Sequence, residues 1–351
     1  MDEQKVILSD HIEPVLAEAI ASCHADRLVV ITDETTQRLC WPVVSGFQCL
    51  ADAQHIVISP GDENKTLQTV EHVWYQLQQA GATRHSLAVN LGGGMVTDLA
   101  GFAASTFKRG MAFINIPTTL LAMVDASVGG KTGFNFGGLK NEIGVFNNAN
   151  AVILDPIFLR TLDRENLLSG YAEMLKHGLI SSLTMLRQLL SFDIEQPHLP
   201  LLGQMVGESV AVKQRIVSED PLEQGLRKAL NLGHTVGHAF EALALANQRP
   251  VLHGYAVAAG LACELYLCCI KTGFPTDIMR QVVHFITEHY GRMAISCDDY
   301  PTLLQLMTHD KKNTAGQINF TLLSDVGQLE LNQTATKAEI EEALDFYREG
   351  L

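Results

Sequence analysis

Positive charge is scarce in this chain of 351 residues: 25 lysines and arginines stand against 39 aspartates and glutamates, a formal net charge of −14. A nucleic-acid-binding surface is therefore not expected, although a local basic pocket for an anionic substrate is compatible with the composition. Cysteine is also sparse: the seven cysteines form no CxxC pair, and their number is odd. This pattern favours a reduced, cytoplasmic compartment over a disulfide-rich secreted domain.

The sequence also lacks the patterns of a secretion signal and of a membrane span. Its first ten residues, MDEQKVILSD, are acidic and have neither the basic nor the long apolar region of a signal peptide. The most apolar long stretch, residues 251–270, contains His253 and Glu264 and is interrupted by two glycines. We therefore expect a buried helix there, and a globular protein without membrane or nucleic-acid partners.

Two kinds of pattern divide the chain. Over the first 155 residues, β-rich runs alternate with helical periods, which predicts a Rossmann-like α/β domain with a mostly parallel sheet. The strands are expected at residues 5–8, 27–32, 55–59, 86–91 and 112–116, and the helices near residues 13–22, 66–81 and 96–105. Residues 127–144, rich in glycine, predict a hairpin or a mobile loop. Long helical periods follow at residues 164–180, 201–216, 225–246 and 253–272, with one β-like run at 318–323. They predict an all-α domain over residues 156–351.

A glycine triplet at the end of the fourth predicted strand is the first chemical signal. The segment NLGGGMVTD, residues 90–98, leads from that strand into a helix. Glycines allow a tight turn with exposed N–H groups, and the positive end of the following helix favours a phosphate or pyrophosphate. Such turns are as often plain loop geometry, so the triplet alone does not decide between the two.

A second signal is a group of metal-ligand residue types in the helical half. SGYAEMLKHG places Glu173 and Lys176 one helical turn apart, and GLRKALNLGHTVGHAFE places His234 and His238 at i, i+4 spacing. His253 follows in VLHG. A carboxylate and two imidazoles are typical ligands of a catalytic zinc ion. In the alternative interpretation, Glu173 and Lys176 form an ordinary surface ion pair and the histidines lie in the core. Spacing alone also does not decide whether His238 or His253 is the third ligand.

Taken together, these motifs resemble the 3-dehydroquinate synthase family. The resemblance runs from about residue 30 to residue 325 and rests on segments that occur in the family's order, namely GGGMVTDLAGFAASTFKRG, IPTTLLAMVDASVGGKTGFN, GLKNEIG, SGYAEMLKHGLI, GLRKALNLGHTVGHAFE and LHGYAVAAG. It implies the dehydroquinate synthase-like fold, a homodimer, and the cofactors NAD and a divalent metal ion, zinc or cobalt. The sequence departs from the family pattern at Asp62, Thr97, Pro221, Tyr255 and residues 136–138, and none of these changes removes a proposed ligand or pocket cation.

The resemblance also implies roles for particular residues. The metal ligands are Glu173, His234 and His253. The NAD site draws on Asp33, Asp62, Lys65, Gly93, Gly94, Asp98, Thr118, Thr119, Asp125 and Lys140, and on Phe158 to Thr161. The catalytic and substrate-binding residues are Lys131, Asn141, Lys176, Lys213, Arg227, Asn231 and His238, together with either Lys311 or Lys312. Arg109 resembles an arginine that reaches the active site of the neighbouring subunit.

The implied reaction converts 3-deoxy-D-arabino-heptulosonate 7-phosphate (DAHP) into 3-dehydroquinate and phosphate, the second step of the shikimate pathway. It proceeds by transient oxidation with NAD, elimination of phosphate, re-reduction and aldol closure, so that NAD is recycled. The alternatives are another sugar-phosphate cyclase of the same superfamily and a metal-dependent polyol dehydrogenase with net NAD reduction. A non-enzymatic binding module is disfavoured, because it would make the Glu-His-His set and the lysine-bearing glycine loop coincidental.

Overall fold

The computed structural model describes residues 4–137, 139–308 and 318–350, and the chain forms two compact units. The first unit contains residues 1–163 and 198–214, and the second contains residues 164–197 and 215–351. This division does not test the domain boundary predicted after residue 155, which stays a prediction.

The first unit is built on a six-stranded parallel sheet. Its strands are β1 (Val6–Leu8), β2 (Leu28–Asp33), β3 (Gln54–Ile58), β4 (Leu87–Gly92), β5 (Ala112–Pro117) and β8 (Ala151–Leu154). They lie side by side in the order β1-β8-β5-β4-β2-β3. Every residue of β4 and β8 is buried, as expected for strands inside a parallel sheet whose faces are covered by helices. The five strands predicted from sequence are confirmed, whereas β8 was not predicted.

The helices of this unit connect the parallel strands, as the alternating pattern predicts. They are α1 (Ile12–Ser22), α2 (Glu34–Leu39), α3 (Trp41–Val44), α4 (Leu67–Gln79) and α5 (Gly94–Thr106). Between β5 and β8 the glycine-rich segment forms an antiparallel hairpin of β6 (Lys131–Phe136) and β7 (Leu139–Phe146). Of the two predicted possibilities for this segment, the structure therefore shows a hairpin.

The second unit is mainly helical. It contains α6 (Arg164–Leu179), α7 (Leu183–Ser191), α9 (His234–Ala246), α10 (His253–Thr272), α11 (Thr276–Tyr290), α12 (Tyr300–Thr308) and α13 (Lys337–Glu349). Helix α8 (Leu199–Glu219) includes the point at residue 214 where the two units divide. A hairpin of β9 (Asn319–Asp325) and β10 (Gln328–Thr334) completes the unit, and its first strand matches the β-like run in the sequence.

One predicted helix is wrong in its first third. The helical period at residues 225–246 predicts one continuous helix, but Leu226–Asn231 forms a separate 3-10 helix and α9 begins only at His234. Gly233 interrupts the helix because its φ angle of 79° lies in the left-handed region.

Helix α10 is the apolar stretch noted in the sequence. It is long and apolar enough to cross a membrane by length and composition, but 72% of its most apolar 18-residue window is buried inside the protein. The helix is therefore part of the core, as the polar and glycine interruptions predict.

Candidate functional site

In the first unit, the residues predicted to bind the cofactor follow the carboxyl ends of five parallel strands. Asp33 ends β2, Gly93 follows β4, Thr118 follows β5, and the 3-10 helix Pro156–Thr161 follows β8. Lys65 comes a few residues after β3. Ligands of open parallel sheets bind at this edge. The sheet therefore brings the predicted cofactor residues to the edge where such a ligand is expected.

The glycine turn begins helix α5 without a side-chain cap. Gly93 occupies the N-cap position, and α5 starts at Gly94. The first N–H groups of a helix have no partner within the helix, and the helix dipole makes this end positive. The turn therefore leaves these N–H groups without a side-chain acceptor, and anion binding there stays a prediction.

A buried lysine organises the polar groups next to this turn. Lys65 Nζ lies 2.6 Å from Asp98 Oδ2 and 2.5 Å from Asn141 Oδ1, and Lys65 is only 3% exposed. Burial raises the pKa of Asp98, and the Lys65 ammonium opposes that rise. Lys65 thus links Asp98 of helix α5 to Asn141 of strand β7.

Asn135 was not predicted as a site residue, yet it connects several residues that were. Its amide Nδ2 donates to the carbonyl oxygen of Asp62 at 3.0 Å, and its Oδ1 accepts from the backbone N–H of Asn141 at 2.9 Å. Lys140 Nζ lies 3.4 Å from Asp62 Oδ2 on the exposed side of this group. Asn135 lies in GKTGFN, a segment quoted for the family resemblance, but its role depends on contacts between strands that the segment alone does not show.

Asp125 and Lys213 form a second ion pair in this unit. Lys213 Nζ donates to Asp125 Oδ1 at 2.5 Å and to the Asp125 carbonyl oxygen at 2.6 Å. Asp125 belongs to the short π-helix Ala122–Ala126, and Lys213 comes from α8. Two residues 88 positions apart in sequence are therefore brought into direct contact.

Several other residues predicted for the site make contacts that stabilise the first unit itself. Asp33 Oδ1 caps α2 by accepting from the Thr36 N–H at 2.7 Å, and the side chain of Phe158 is buried at 1% exposure. Thr119 Oγ1 accepts from the Ala122 N–H at 3.2 Å. Lys131 and Arg109 are exposed. For this set the predicted cofactor and substrate roles stay predictions.

In the second unit, three ligand-type side chains from three helices converge. Glu173 lies on α6, His234 is the first residue of α9 and His253 is the first residue of α10. Glu173 Oε1 is 3.3 Å from His234 Nε2 and 3.4 Å from His253 Nε2, and a ligand atom from each of the three residues lies within 4.8 Å of the other two. This spacing fits a single small cation among them.

The carboxylate of Glu173 has the surroundings expected of a metal ligand. Its side chain is completely buried. Lys176 Nζ contacts Oε2 as an ion pair. Among the described residues, however, neither carboxylate oxygen accepts a hydrogen bond of normal geometry. Buried polar atoms without a hydrogen bond are rare and call for an explanation such as an ion. The donor set and this carboxylate therefore fit a divalent cation.

The two imidazoles are oriented by their other ring nitrogens. His234 Nδ1 is 3.1 Å from the carbonyl oxygen of Leu232, so this nitrogen carries the proton and Nε2 faces Glu173 with its lone pair. His253 Nδ1 lies 3.5 Å from Glu241 Oε2. A carboxylate or carbonyl behind each histidine is the usual arrangement around a metal. Glu241 was not predicted; it ends the quoted motif HTVGHAFE, three residues after His238.

Charge at this cluster favours a neutral His234 and an ionised Glu173. Burial, reinforced by the Lys176 ammonium, lowers the pKa of His234 to about 4. Burial opposes ionisation of Glu173, but the Lys176 ammonium holds its pKa well below the usual range. Burial also opposes a charge on His253, yet the Glu173 and Glu241 carboxylates raise its pKa to about 10. His253 must lose this proton to bind a cation.

Close packing of two helix backbones holds His253 beside Glu173. The first turn of α10 contacts α6 at Gly254, where an added Cβ would lie 1.9 Å from the carbonyl oxygen of Ser169. Ser169 Oγ also accepts from the Gly254 N–H at 3.1 Å. Only glycine fits this contact without a shift of the backbone.

The substitution Gly254→Ala is therefore expected to destabilise the protein by about 3 kcal/mol or more, because the new methyl group would overlap a backbone oxygen. Gly46→Ala is the matched control, since an added Cβ at Gly46 meets nothing within 4 Å. Urea unfolding of both variants measures the difference. Equal stability of the two variants would contradict the proposed tight contact.

The remaining predicted residues of this unit lie near α9. Arg227, 3% exposed, donates from Nη1 to the carbonyl oxygen of Pro221 at 2.8 Å. Asn231 Nδ2 donates to Glu223 Oε1 at 3.1 Å. His238 is exposed, and its ring centre is 5.2 Å from that of His234 and 5.9 Å from that of His253. Lys311 and Lys312 lie outside the described residues.

Comparison with known proteins identifies relatives over the whole chain. The family model for the 3-dehydroquinate synthase N-terminal part matches residues 55–169, and the one for the C-terminal part matches residues 170–313. The 3-dehydroquinate synthase of Parabacteroides distasonis is 53% identical over 350 residues, which cover 100% of this chain and 99% of that protein.

Two solved structures are similar in sequence and in fold. One is 2-deoxy-scyllo-inosose synthase complexed with carbaglucose-6-phosphate, NAD+ and Co2+, with a TM-score of 0.83 at 25% identity, covering 99% of this chain and 96% of that one. The other is 2-epi-5-epi-valiolone synthase from Streptomyces hygroscopicus with NAD+ and Zn2+ bound, with a TM-score of 0.84 at 26% identity, covering 99% and 98%.

Proposed function

The chain belongs to the 3-dehydroquinate synthase family, and from this membership we propose which of its side chains carry out the family's reaction. The enzyme is a lyase of the shikimate pathway that converts DAHP into 3-dehydroquinate and phosphate with the help of NAD and a divalent metal ion, zinc or cobalt. Identity of 53% to a 3-dehydroquinate synthase, against 25% and 26% to the two other cyclases, favours this reaction over theirs.

We assign the cation to Glu173, His234 and His253. When bound, the cation supplies a positive charge that lowers the pKa of a substrate hydroxyl, and NAD supplies the acceptor for a hydride that is later returned. The single observation that carries this assignment is the buried Glu173 carboxylate, which two imidazoles face from separate helices. Lys176 keeps this carboxylate ionised.

We assign NAD to the first unit. The pyrophosphate binds at the glycine turn, where the N–H groups of Gly93 and Gly94 and the start of α5 attract an anion. Lys65, which pairs with Asp98 of α5, is assigned to the same site. The other cofactor residues of the first unit are Asp33, Asp62, Thr118, Thr119, Asp125, Lys140, Phe158 and Thr161.

We assign the oxygens of the anionic substrate to amide and cationic side chains. In the first unit these are Lys131, Asn141 and Lys213, and in the second they are Lys176, Arg227, Asn231 and His238. A guanidinium binds a carboxylate with two parallel hydrogen bonds, which suits Arg227 to the substrate carboxylate. His238 is exposed beside the cation ligands and is suited to hydrogen-bond the phosphate.

We further propose that the enzyme is a cytoplasmic homodimer in which Arg109 reaches the active site of the partner. Both Lys108 and Arg109 have φ angles in the left-handed region, 48° and 68°, which non-glycine residues rarely adopt. Such strain often accompanies a functional constraint, and Arg109 is exposed. The cofactor role is proposed for residues 1–155, and the metal and substrate role for residues 156–351.

A phosphate-release assay with DAHP tests the proposed function. We expect phosphate and 3-dehydroquinate in equal amounts without net NADH, and loss of both after treatment with a chelator. Steady accumulation of NADH with a simple polyol would indicate a dehydrogenase instead. Phosphate release from glucose 6-phosphate, but not from DAHP, would indicate another cyclase.

A further inference from the structure

Glu264 is a buried acid on α10 that neither the cofactor nor the substrate assignment uses. It lies within an otherwise apolar stretch and is completely buried. Its Oε2 accepts from the backbone N–H of Gly233 at 2.6 Å, and its Oε1 accepts from the N–H of Val236 at 3.0 Å. Both carboxylate oxygens therefore bind the first turn of the neighbouring helix α9.

Helix α9 lacks a side-chain cap from its own sequence. Its N-cap is Gly233, which has no side chain to accept the free N–H groups of the first turn. Glu264 supplies this cap from α10. Since His234 is the first residue of α9, the cap fixes the backbone on both sides of a cation ligand, at residue 233 and at residue 236.

The cap also changes the electrostatics of the cluster. The N-terminus of a helix carries a partial positive charge, which is unfavourable next to a cation. Both histidine ligands are the first residues of their helices. A carboxylate bound to the N–H groups of α9 offsets this positive charge at one of the two helix ends.

Glycine contacts hold Glu264 in place. Gly260 lies one turn before Glu264, and an added Cβ there would be 2.0 Å from the carbonyl oxygen of Gly233 and 2.6 Å from the N–H nitrogen of Gly237. The backbones of α9 and α10 therefore touch at this crossing. Because α10 begins with His253 and carries Glu264 about three turns later, one helix positions both imidazoles.

We propose that Glu264 is a positioning residue of the metal centre, which aligns His234 by capping α9 and offsets the positive helix end beside the cation. This inference depends on the cation assignment under the proposed function. It predicts that the carboxylate of Glu264 determines metal affinity although it is not a ligand.

The test compares Glu264→Gln with the unaltered enzyme. The variant keeps the shape of the side chain but loses its charge and one of its two acceptor oxygens. We expect the dissociation constant of Co2+, measured by competition with a chromophoric chelator, to rise about 10- to 100-fold, as for other groups that orient metal ligands. We also expect a shifted visible absorption spectrum of bound Co2+ and an unchanged dissociation constant of NAD.

Glu288→Gln is the matched control, because it removes the same charge from a side chain on α11 that is 61% exposed. It should alter none of these values.

The outcomes separate this inference from the proposed function. If the unaltered enzyme binds no Co2+ at Glu173, His234 and His253, the cation assignment fails. If it does bind Co2+ there but a folded Glu264→Gln variant has the same affinity and spectrum, the role of Glu264 is refuted. If the Glu264→Gln variant does not fold, hydrogen exchange of the unaltered enzyme tests whether the cap on α9 exists. We expect the Gly233 and Val236 amides to be protected even without metal, and rapid exchange of both would contradict a preformed cap.

Discussion

The substitution Glu173→Ala is expected to abolish both metal binding and turnover. The change removes the carboxylate that both His234 Nε2 and His253 Nε2 face. If the bound cation contributes about 4 kcal/mol to lowering the reaction barrier, its loss reduces kcat by about 10³-fold or more. Metal content by mass spectrometry and phosphate release from DAHP measure the two effects.

Two further variants show whether this loss arises at the metal centre. Removing one partner of a buried ion pair can cost about 3–5 kcal/mol of stability, so Glu173→Ala leaves Lys176 buried and could unfold the protein. Glu173→Gln keeps the volume of the side chain and should lose metal with less effect on folding. Glu165→Ala, at an exposed position on the same helix α6, should retain both metal and activity. A folded Glu173→Ala enzyme that retains one equivalent of zinc would refute the assignment.

The substitution Arg227→Ala is expected to weaken DAHP binding by about 100-fold while NAD binding stays nearly unchanged. A charge-assisted pair between a guanidinium and a carboxylate contributes about 3 kcal/mol when it is shielded from water, and Arg227 is 3% exposed. NAD is assigned to the first unit, and Arg227 belongs to the second. Calorimetric titrations with each ligand separate the two affinities.

The size of the loss in DAHP affinity should depend on the geometry of the side chain at position 227 as well as on its charge. Arg227→Lys keeps the positive charge but loses the planar pair of donors, so it should recover only part of the DAHP affinity. Arg187→Ala, at an exposed position on α7, is the matched control and should bind DAHP normally. Equal loss of DAHP and NAD affinity in Arg227→Ala would indicate a general structural role for this arginine.

Much of the fold follows from local sequence patterns. The apolar runs at residues 86–91 and 112–116 predict β4 and β5 because buried parallel strands are almost continuously apolar. The helical period at residues 225–246 fails because Gly233 turns the backbone into the left-handed region, and no periodicity reveals that angle. The strand β8, four residues long, was not predicted although the three-residue strand β1 was, so length alone does not explain the omission.

The site is only partly accessible from sequence, because much of it depends on contacts between distant segments. Spacing alone left His238 and His253 as equal candidates. The structure brings His253 to Glu173 through the contact of Gly254 with Ser169, 85 residues away in sequence. Glu264 is visible in the sequence only as an acid in an apolar stretch, and its role depends on the crossing of α9 and α10. Asn135 likewise acquires its role from its strand partners.

Anomalous diffraction at the zinc absorption edge, from crystals grown with NAD and Zn2+, tests the central assignment most directly. The account predicts one strong peak about 2.0–2.2 Å from a Glu173 oxygen and about 2.0–2.1 Å from Nε2 of His234 and of His253. A peak bound by other side chains, or an enzyme that converts DAHP at full rate with no metal at these three residues, would contradict it.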